Sequence, residues 1–80
     1  MNALITRDTT HSVPGAAALF ASGLQPSQCP SSAEVREAVL ATRRRLGVRG
    51  CLAEMAAEFG DHPDCAANRM AWALSMIENA

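Results

Sequence analysis

Apolar residues recur at helical spacing on both sides of a short polar segment in the C-terminal half of the chain. Leu52, Met55 and Phe59 are three or four residues apart, the spacing that forms one face of an α-helix. After the segment Gly60-Asp61-His62-Pro63, the same spacing continues through Ala66, Met70, Ala73 and Leu74. Two amphipathic helices joined by a four-residue segment with glycine and proline predict a helix-turn-helix.

The N-terminal third predicts one short helix between two irregular segments. Residues 1–13 have no sustained periodicity and predict a flexible arm. Pro14 fits a first helical position and Gly23 a left-handed residue after the helix, which together predict a helix over 14–22. Residues 25–30 contain two prolines and predict an extended connector.

A second helix is predicted over 31–46, with a linker after it. Ser31 precedes Glu34 by three residues, which is the spacing of a capping box at a helix N-terminus. The segment Gly47-Val48-Arg49-Gly50 predicts a hinge-like linker. Two further helices are expected, over 51–59 and 63–78, the last capped by Asp61 or His62.

The composition supports an all-α class. The chain has 80 residues, enough for one domain at most, and alanine supplies much of its 49% apolar content. Strand-forming residues are sparse and do not alternate over more than a few positions. We therefore expect a four-helix, all-α single domain over 14–80 that contains a helix-turn-helix-like pair.

Charge is unevenly distributed, although the net charge is only −1. Residues 34–49 hold five arginines against two glutamates, whereas residues 50–80 hold one arginine against five acidic residues. The predicted helix-turn-helix is therefore acidic, which opposes attraction to phosphate.

The cysteine count and the apolar runs bear on the cellular location. Three cysteines cannot all pair within one chain, and the N-terminus has neither the basic start nor the long apolar segment of a signal peptide. The longest apolar run, 16–21, is far below the roughly 20 residues that span a bilayer. We expect a cytoplasmic protein that does not enter a membrane.

No residue pattern predicts catalysis or a cofactor. His62 and Cys65 have a spacing compatible with two metal ligands, but no CxxC or HxxxH pair accompanies them. A Cys65 nucleophile with His62 lacks an orienting residue and an oxyanion site. Glu54 and Glu58 are typical of a solvated helix face. We expect no enzymatic activity, no metal, no cofactor and no small-molecule substrate.

Residues 54–74 resemble the helix-turn-helix in the promoter-binding C-terminal region of bacterial sigma factors. The resemblance rests on Glu54-Met55-Ala56, on Gly60 at the turn, on Arg69-Met70, and on Ala66 and Ala73-Leu74. It implies DNA binding by the second helix, with Gly60 in a left-handed conformation. The chain departs from the family at positions that would contact DNA: Cys65, Ala67, Ala71 and Trp72. The whole chain also resembles small uncharacterised proteins of actinobacterial type, which implies no particular activity.

The sequence favours one function, given first below, and leaves a second open as the alternative. In the first, the protein is a small transcription regulator in which Asn68 and Arg69 contact nucleic acid, while phosphates are held by Arg43, Arg44, Arg45 and Arg49. In the second, it is an adaptor or regulator that binds another protein, with an interface at Asp61, Asp64, Cys65, Trp72 and Met76. A homodimer is compatible with either function. Residues of this kind, here Trp72, Met76 and Cys65, are more often part of a core, against the first helix, than part of an interface.

Overall fold

The computed structural model describes residues 13–79, and all of its regular structure is helical. Helix α1 covers 13–21 of the described residues, α2 runs over Ser32–Asp61, and α3 over Pro63–Asn79. A single 3₁₀ turn, Pro26–Gln28, lies between α1 and α2. The expected all-α class is confirmed. The predicted N-terminal arm lies outside the described residues except for Val13, which is helical.

Helix α1 is at the centre of the core. Four consecutive residues, Ala16 to Leu19, are fully buried, and Phe20 is 5% exposed. A helix that is buried on successive positions, and so on all sides, must be surrounded by other elements. The surrounding residues include Val35, Val39 and Cys51 of α2 and Ala73 of α3. The small alanine side chains of α1 let these helices approach closely.

The end of α1 and the connector differ from the sequence-based prediction. Gly23 does not have a positive φ, so it is not the left-handed residue that ends the helix. Instead, Ser22 closes α1 by donating from its amide and its hydroxyl to the Leu19 carbonyl. The connector is not fully extended, because it contains the 3₁₀ turn. The Gln25 amide donates to the Gln28 side-chain carbonyl, and the Gln28 amide donates to the Gln25 main-chain carbonyl. The left-handed residue of this region is Cys29, with φ 49°.

Helix α2 begins at the predicted capping box. The Glu34 amide donates to the Ser31 hydroxyl at 3.2 Å, and the Ser31 amide donates to the Glu34 carboxylate at 2.8 Å. These two bonds satisfy amides that an uncapped helix leaves without partners, so the capping box is confirmed.

The predicted linker between the second and third helices is reduced to a kink at Gly47. Its φ of 73° and ψ of 169° interrupt α2, a conformation that is essentially restricted to glycine. Val48, Arg49 and Gly50 are helical. A Cβ on Gly50 would lie 2.9 Å from the Leu46 Cβ, so glycine also permits close contact across the kink. The helical residues thus form three runs in the described chain, where four separate helices were predicted.

The junction between α2 and α3 is shorter than predicted. Gly60 and Asp61 are still helical, and Gly60 does not have the left-handed backbone that the sigma-factor resemblance implied. The helices are joined at His62, whose amide donates to the Glu58 carbonyl and whose carbonyl accepts from the Ala66 amide. Pro63 then starts α3 at a position where a missing N–H costs nothing. A one-residue corner replaces the predicted four-residue turn.

Helix α3 packs through small residues and a flank of larger ones. Ala66 and Ala73 are buried, while Met70, Trp72, Met76 and Ile77 are partly buried against the core. Trp72 and Met76 therefore contribute to the core, as the more common of the two interpretations predicts. Cys65 was expected to join them there, but it is exposed near the start of α3.

Candidate functional site

The most elaborate polar arrangement in the described residues is centred on Arg69 of α3. Its Nε donates to the Phe20 carbonyl at 2.9 Å. One terminal nitrogen, Nη2, donates to the carbonyls of Ser22 at 3.0 Å and Leu24 at 2.9 Å, with a longer contact of 3.5 Å to Leu19. These carbonyls belong to the last turn of α1 and the residues after it, so Arg69 acts as the C-terminal cap of α1.

Aromatic rings hold the guanidinium of Arg69 in this position. Its central carbon lies 5.1 Å from the ring centroid of Trp72 and 5.7 Å from that of Phe20. Both distances are within the range of cation–π attraction. Phe20 in turn stacks on Phe59, with centroids 6.2 Å apart and ring planes 16° apart. Desolvation lowers the pKa of Arg69, and the nearby Glu58 carboxylate partly opposes that change. The side chain stays charged at physiological pH.

Arg69 is therefore used inside the protein. It was predicted to contact nucleic acid, and its neighbour Asn68 was predicted to read a base edge. Asn68 is exposed, but the structure directs Arg69 away from it and onto α1. No other residue of α3 carries a positive side chain. The interaction of Arg69 with Trp72 could have been anticipated, because the two are three residues apart on one helix, but its carbonyl partners 45 to 50 residues away could not.

The other predicted phosphate contacts surround the kink in α2. Arg44, Arg45 and Arg49 are exposed, and Arg43 is half-buried. Arg49 precedes the end of α2 at Asp61 by 12 residues, which is about 18 Å along a helix. The predicted DNA-binding residues are thus in two groups. The arginines lie near the kink of α2, whereas Asn68 lies in α3, after the C-terminal end of α2.

The predicted protein interface is also divided by the structure. Asp61, Asp64 and Cys65 are exposed at the corner between α2 and α3, whereas Trp72 and Met76 are half-buried. Glu54 and Glu58 are exposed on α2 near this corner. We refer to the exposed carboxylates Glu54, Glu58, Asp61 and Asp64 as the acidic surface. Its one ion pair among the described residues joins Glu58 to His62, with 3.4 Å between Oε1 and Nδ1.

An open cavity of about 240 Å³ adjoins the Arg69 cap. It was not foreseen from the sequence, and its lining residues are Phe20, Ala21, Ser22, Gln25, Glu54, Glu58 and Arg69. Typical small-molecule sites have volumes of about 300–1,000 Å³ and are mostly apolar. This cavity is smaller, and its guanidinium is already bonded to main-chain carbonyls.

The cysteines have separate environments. Cys29 and Cys65 are exposed and Cys51 is buried, and all three are free thiols. Burial raises the pKa of Cys51, while the charges of Arg43 and Arg45 partly lower it. Within 13–79, His, Cys, Asp and Glu side chains form no group of three that could hold a metal ion. From the sequence, His62 and Cys65 were considered as metal ligands. In the described structure, neither Cys51 nor Cys29 lies close enough to form a metal-binding group with them.

Comparisons of the chain with protein-family models, with curated proteins and with solved structures found no match. None of the helices in the described part of the chain has the length and apolar character needed to cross a membrane.

Proposed function

We propose that this protein is a small, non-enzymatic helical module that binds another protein through its acidic surface. Three free cysteines support a reducing compartment such as the cytoplasm as the place where it acts. The proposal makes α3 and the end of α2 a unit that presents side chains to a partner, as a helix-turn-helix-like pair does.

The internal use of Arg69 carries this proposal. A DNA-reading helix needs cationic or amide side chains that reach phosphates and base edges. The only positive residue of α3 instead caps α1. Of the α3 residues whose burial the structure describes, the exposed ones are Pro63, Asp64, Cys65, Ala67, Asn68, Ala71, Ser75 and Glu78. A surface with acidic residues and without a cation repels phosphate.

The acidic surface favours a basic protein partner. Asp61 and Asp64 are on either side of the His62 corner, and Glu54 and Glu58 extend the same charge along α2. Exposed carboxylates of one sign speed the encounter with an oppositely charged partner and disfavour other partners. Trp72 and Met76 are partly buried against the core and do not need to contact the partner directly.

A transcription regulator that binds DNA is the second candidate. It is favoured by Arg44, Arg45 and Arg49, which are exposed near the kink and make no ion pair among the described residues. Such binding would depend on phosphate contacts and would be weak and independent of sequence. Over residues 63–78 of α3, Asn68 is the one exposed amide side chain. A partner in a transcription complex would then have to supply specificity.

Charge reversal at the corner tests the proposed function. Wild-type protein and the variant Asp61→Lys/Asp64→Lys are used as bait in lysate of the host cell, and each captured protein is then purified and titrated against both. The control, Glu37→Lys/Glu78→Lys, makes the same change in net charge at two other exposed positions. We expect the partner to bind the wild type and the control and to lose affinity for the corner variant. Equal binding to all three proteins would contradict the proposal, as would capture that disappears on nuclease treatment.

A further inference from the structure

The N-terminal half of α2 has an exposed leucine whose neighbours on the helix surface are three arginines and one glutamate, Glu37. Leu40 is 52% exposed. Arg36 precedes it by four residues, and Arg43 and Arg44 follow it by three and four. Residues at these separations are neighbours on a helix surface, and at 100° per residue the four span an arc of about 100°. We call Arg36, Leu40, Arg43 and Arg44 the basic face.

Among residues 13–79, the basic face has no ion-pair partner. None of its guanidinium groups makes an ion pair with another described residue. Leu40 is outside the core cluster, whereas Val35, Val39 and Thr42 form the buried side of the same helical segment. A large apolar side chain ringed by charges on an otherwise polar helix face is a common arrangement at protein interfaces.

The acidic surface has the complementary arrangement. Glu54 and Asp61 of α2 are neighbours of Ala57, three residues before it and four after it, and Ala57 is exposed. The small side chain of Ala57 leaves a shallow apolar area between the two carboxylates. The basic face thus has an exposed leucine between cations, and the acidic surface has an exposed alanine between anions.

The two surfaces also match in length. Arg36 and Arg44 are eight residues apart, which is about 12 Å along a helix. Glu54 and Asp61 are seven residues apart, or about 10 Å. Charges at both ends can therefore pair while Leu40 contacts Ala57.

We propose that the acidic surface of one copy binds the basic face of a second copy, so that the protein forms a homodimer with two such contacts. The proposal rests on the proposed function, because it assigns a second copy of the chain as the partner of the same acidic surface. Both surfaces belong to every copy, so a two-fold axis makes the contact twice. A standard interface buries about 800 Å² per partner, a modest share of the 5239 Å² surface of this chain.

Sedimentation velocity over a concentration series tests the homodimer with two complementary variants. The first variant, Arg36→Glu/Arg44→Glu, reverses the ends of the basic face, and the second, Glu54→Arg/Asp61→Arg, reverses the acidic surface. All four positions are exposed. We expect the wild type to dimerise, each variant alone to be monomeric, and an equimolar mixture of the two variants to form a heterodimer. Restoration in the mixture cannot come from misfolded variants.

A matched control and a second variant complete the experiment. Arg45→Glu/Arg49→Glu makes the same charge change as the first variant at exposed positions outside the basic face, and it should still dimerise. Leu40→Glu should weaken the dimer about tenfold or more without unfolding the monomer, because Leu40 is outside the core. A wild type that is monomeric throughout, or a mixture that does not associate, would overturn the homodimer. Loss of a captured partner in Asp61→Lys/Asp64→Lys would then still support the proposed function, so the two can fail separately.

Discussion

Arg69 and Phe20 are joined by a main-chain hydrogen bond and by a contact between a cation and an aromatic ring. The Arg69 Nε donates to the Phe20 carbonyl at 2.9 Å, and the guanidinium carbon lies 5.7 Å from the centroid of the Phe20 ring. The two residues are 49 positions apart in the chain. This relationship fixes the end of α1 against α3 and commits the only cation of α3 to main-chain carbonyls.

Replacement of Arg69 should destabilise the fold. In Arg69→Ala the carbonyls of Phe20, Ser22 and Leu24 lose a charged donor, and we expect the free energy of unfolding to fall by about 2–3 kcal/mol. Arg69→Lys should recover only part of this loss, because one ammonium group cannot reproduce the planar fork that reaches several carbonyls. Urea unfolding followed by circular dichroism measures both values.

The control for this prediction is Arg49→Ala. Arg49 is exposed and makes no ion pair in the described chain, so its removal should change the free energy of unfolding by no more than about 0.5 kcal/mol. If Arg69→Ala were as mild as Arg49→Ala, the capping role of Arg69 would be wrong.

The local features of the fold could be predicted from neighbouring residues. Ser31 and Glu34 are three positions apart and form the predicted capping box, because both partners belong to one turn of helix. The interruption at Gly47 was placed within a predicted linker, since glycine punctuates helices. These signals are encoded over a few residues and do not depend on the tertiary structure.

Two other features depend on tertiary contacts and could not be predicted. Gly60 was expected to be the left-handed residue of a turn, yet α2 continues through it to Asp61. Glycine permits a left-handed backbone but does not require one. Arg69 was expected at the surface because nothing near it in the sequence shows that the carbonyls after α1 would be within reach. The acidic surface was partly foreseen, as Asp61 and Asp64 are exposed.

Two glycine substitutions should have opposite effects. Gly60 is helical and a Cβ there would meet nothing within 4 Å, so Gly60→Ala should raise the free energy of unfolding by about 0.5–1 kcal/mol. Gly47 has a φ of 73°, which residues other than glycine rarely adopt. Gly47→Ala should therefore lower the free energy of unfolding by about 1–3 kcal/mol. Thermal or urea unfolding distinguishes them. A clear loss of stability in Gly60→Ala would place a left-handed turn at Gly60 after all.

Cys51 should differ from the other thiols in reactivity and in its effect at alkaline pH. Cys29 and Cys65 are exposed and should react rapidly with a thiol reagent, whereas buried Cys51 should react only as the protein unfolds. Burial raises the pKa of Cys51 above its ordinary value of 9.0, so the unfolded chain loses this proton first as the pH rises. The free energy of unfolding should therefore decrease above about pH 9.

The slope of unfolding free energy against pH tests the effect of Cys51 at alkaline pH independently of overall stability. Above about pH 9, the unfolding free energy should depend less steeply on pH in Cys51→Ala than in the wild type. Rapid labelling of all three thiols in the folded protein, or a Cys51→Ala slope equal to that of the wild type, would contradict the buried position of Cys51.

Binding to random-sequence duplex DNA over a salt series tests the central claim, that this module binds protein through its acidic surface and does not bind DNA. Each phosphate neutralised by an arginine makes the affinity fall more steeply with salt. Because Arg69 is bonded to main-chain carbonyls and α3 has no other cation, we predict no binding tighter than about 10⁻⁴ M at physiological salt. Tighter binding that weakens steeply with salt, and that is lost in Arg43→Ala/Arg44→Ala/Arg45→Ala, would contradict the account and support the DNA-binding regulator.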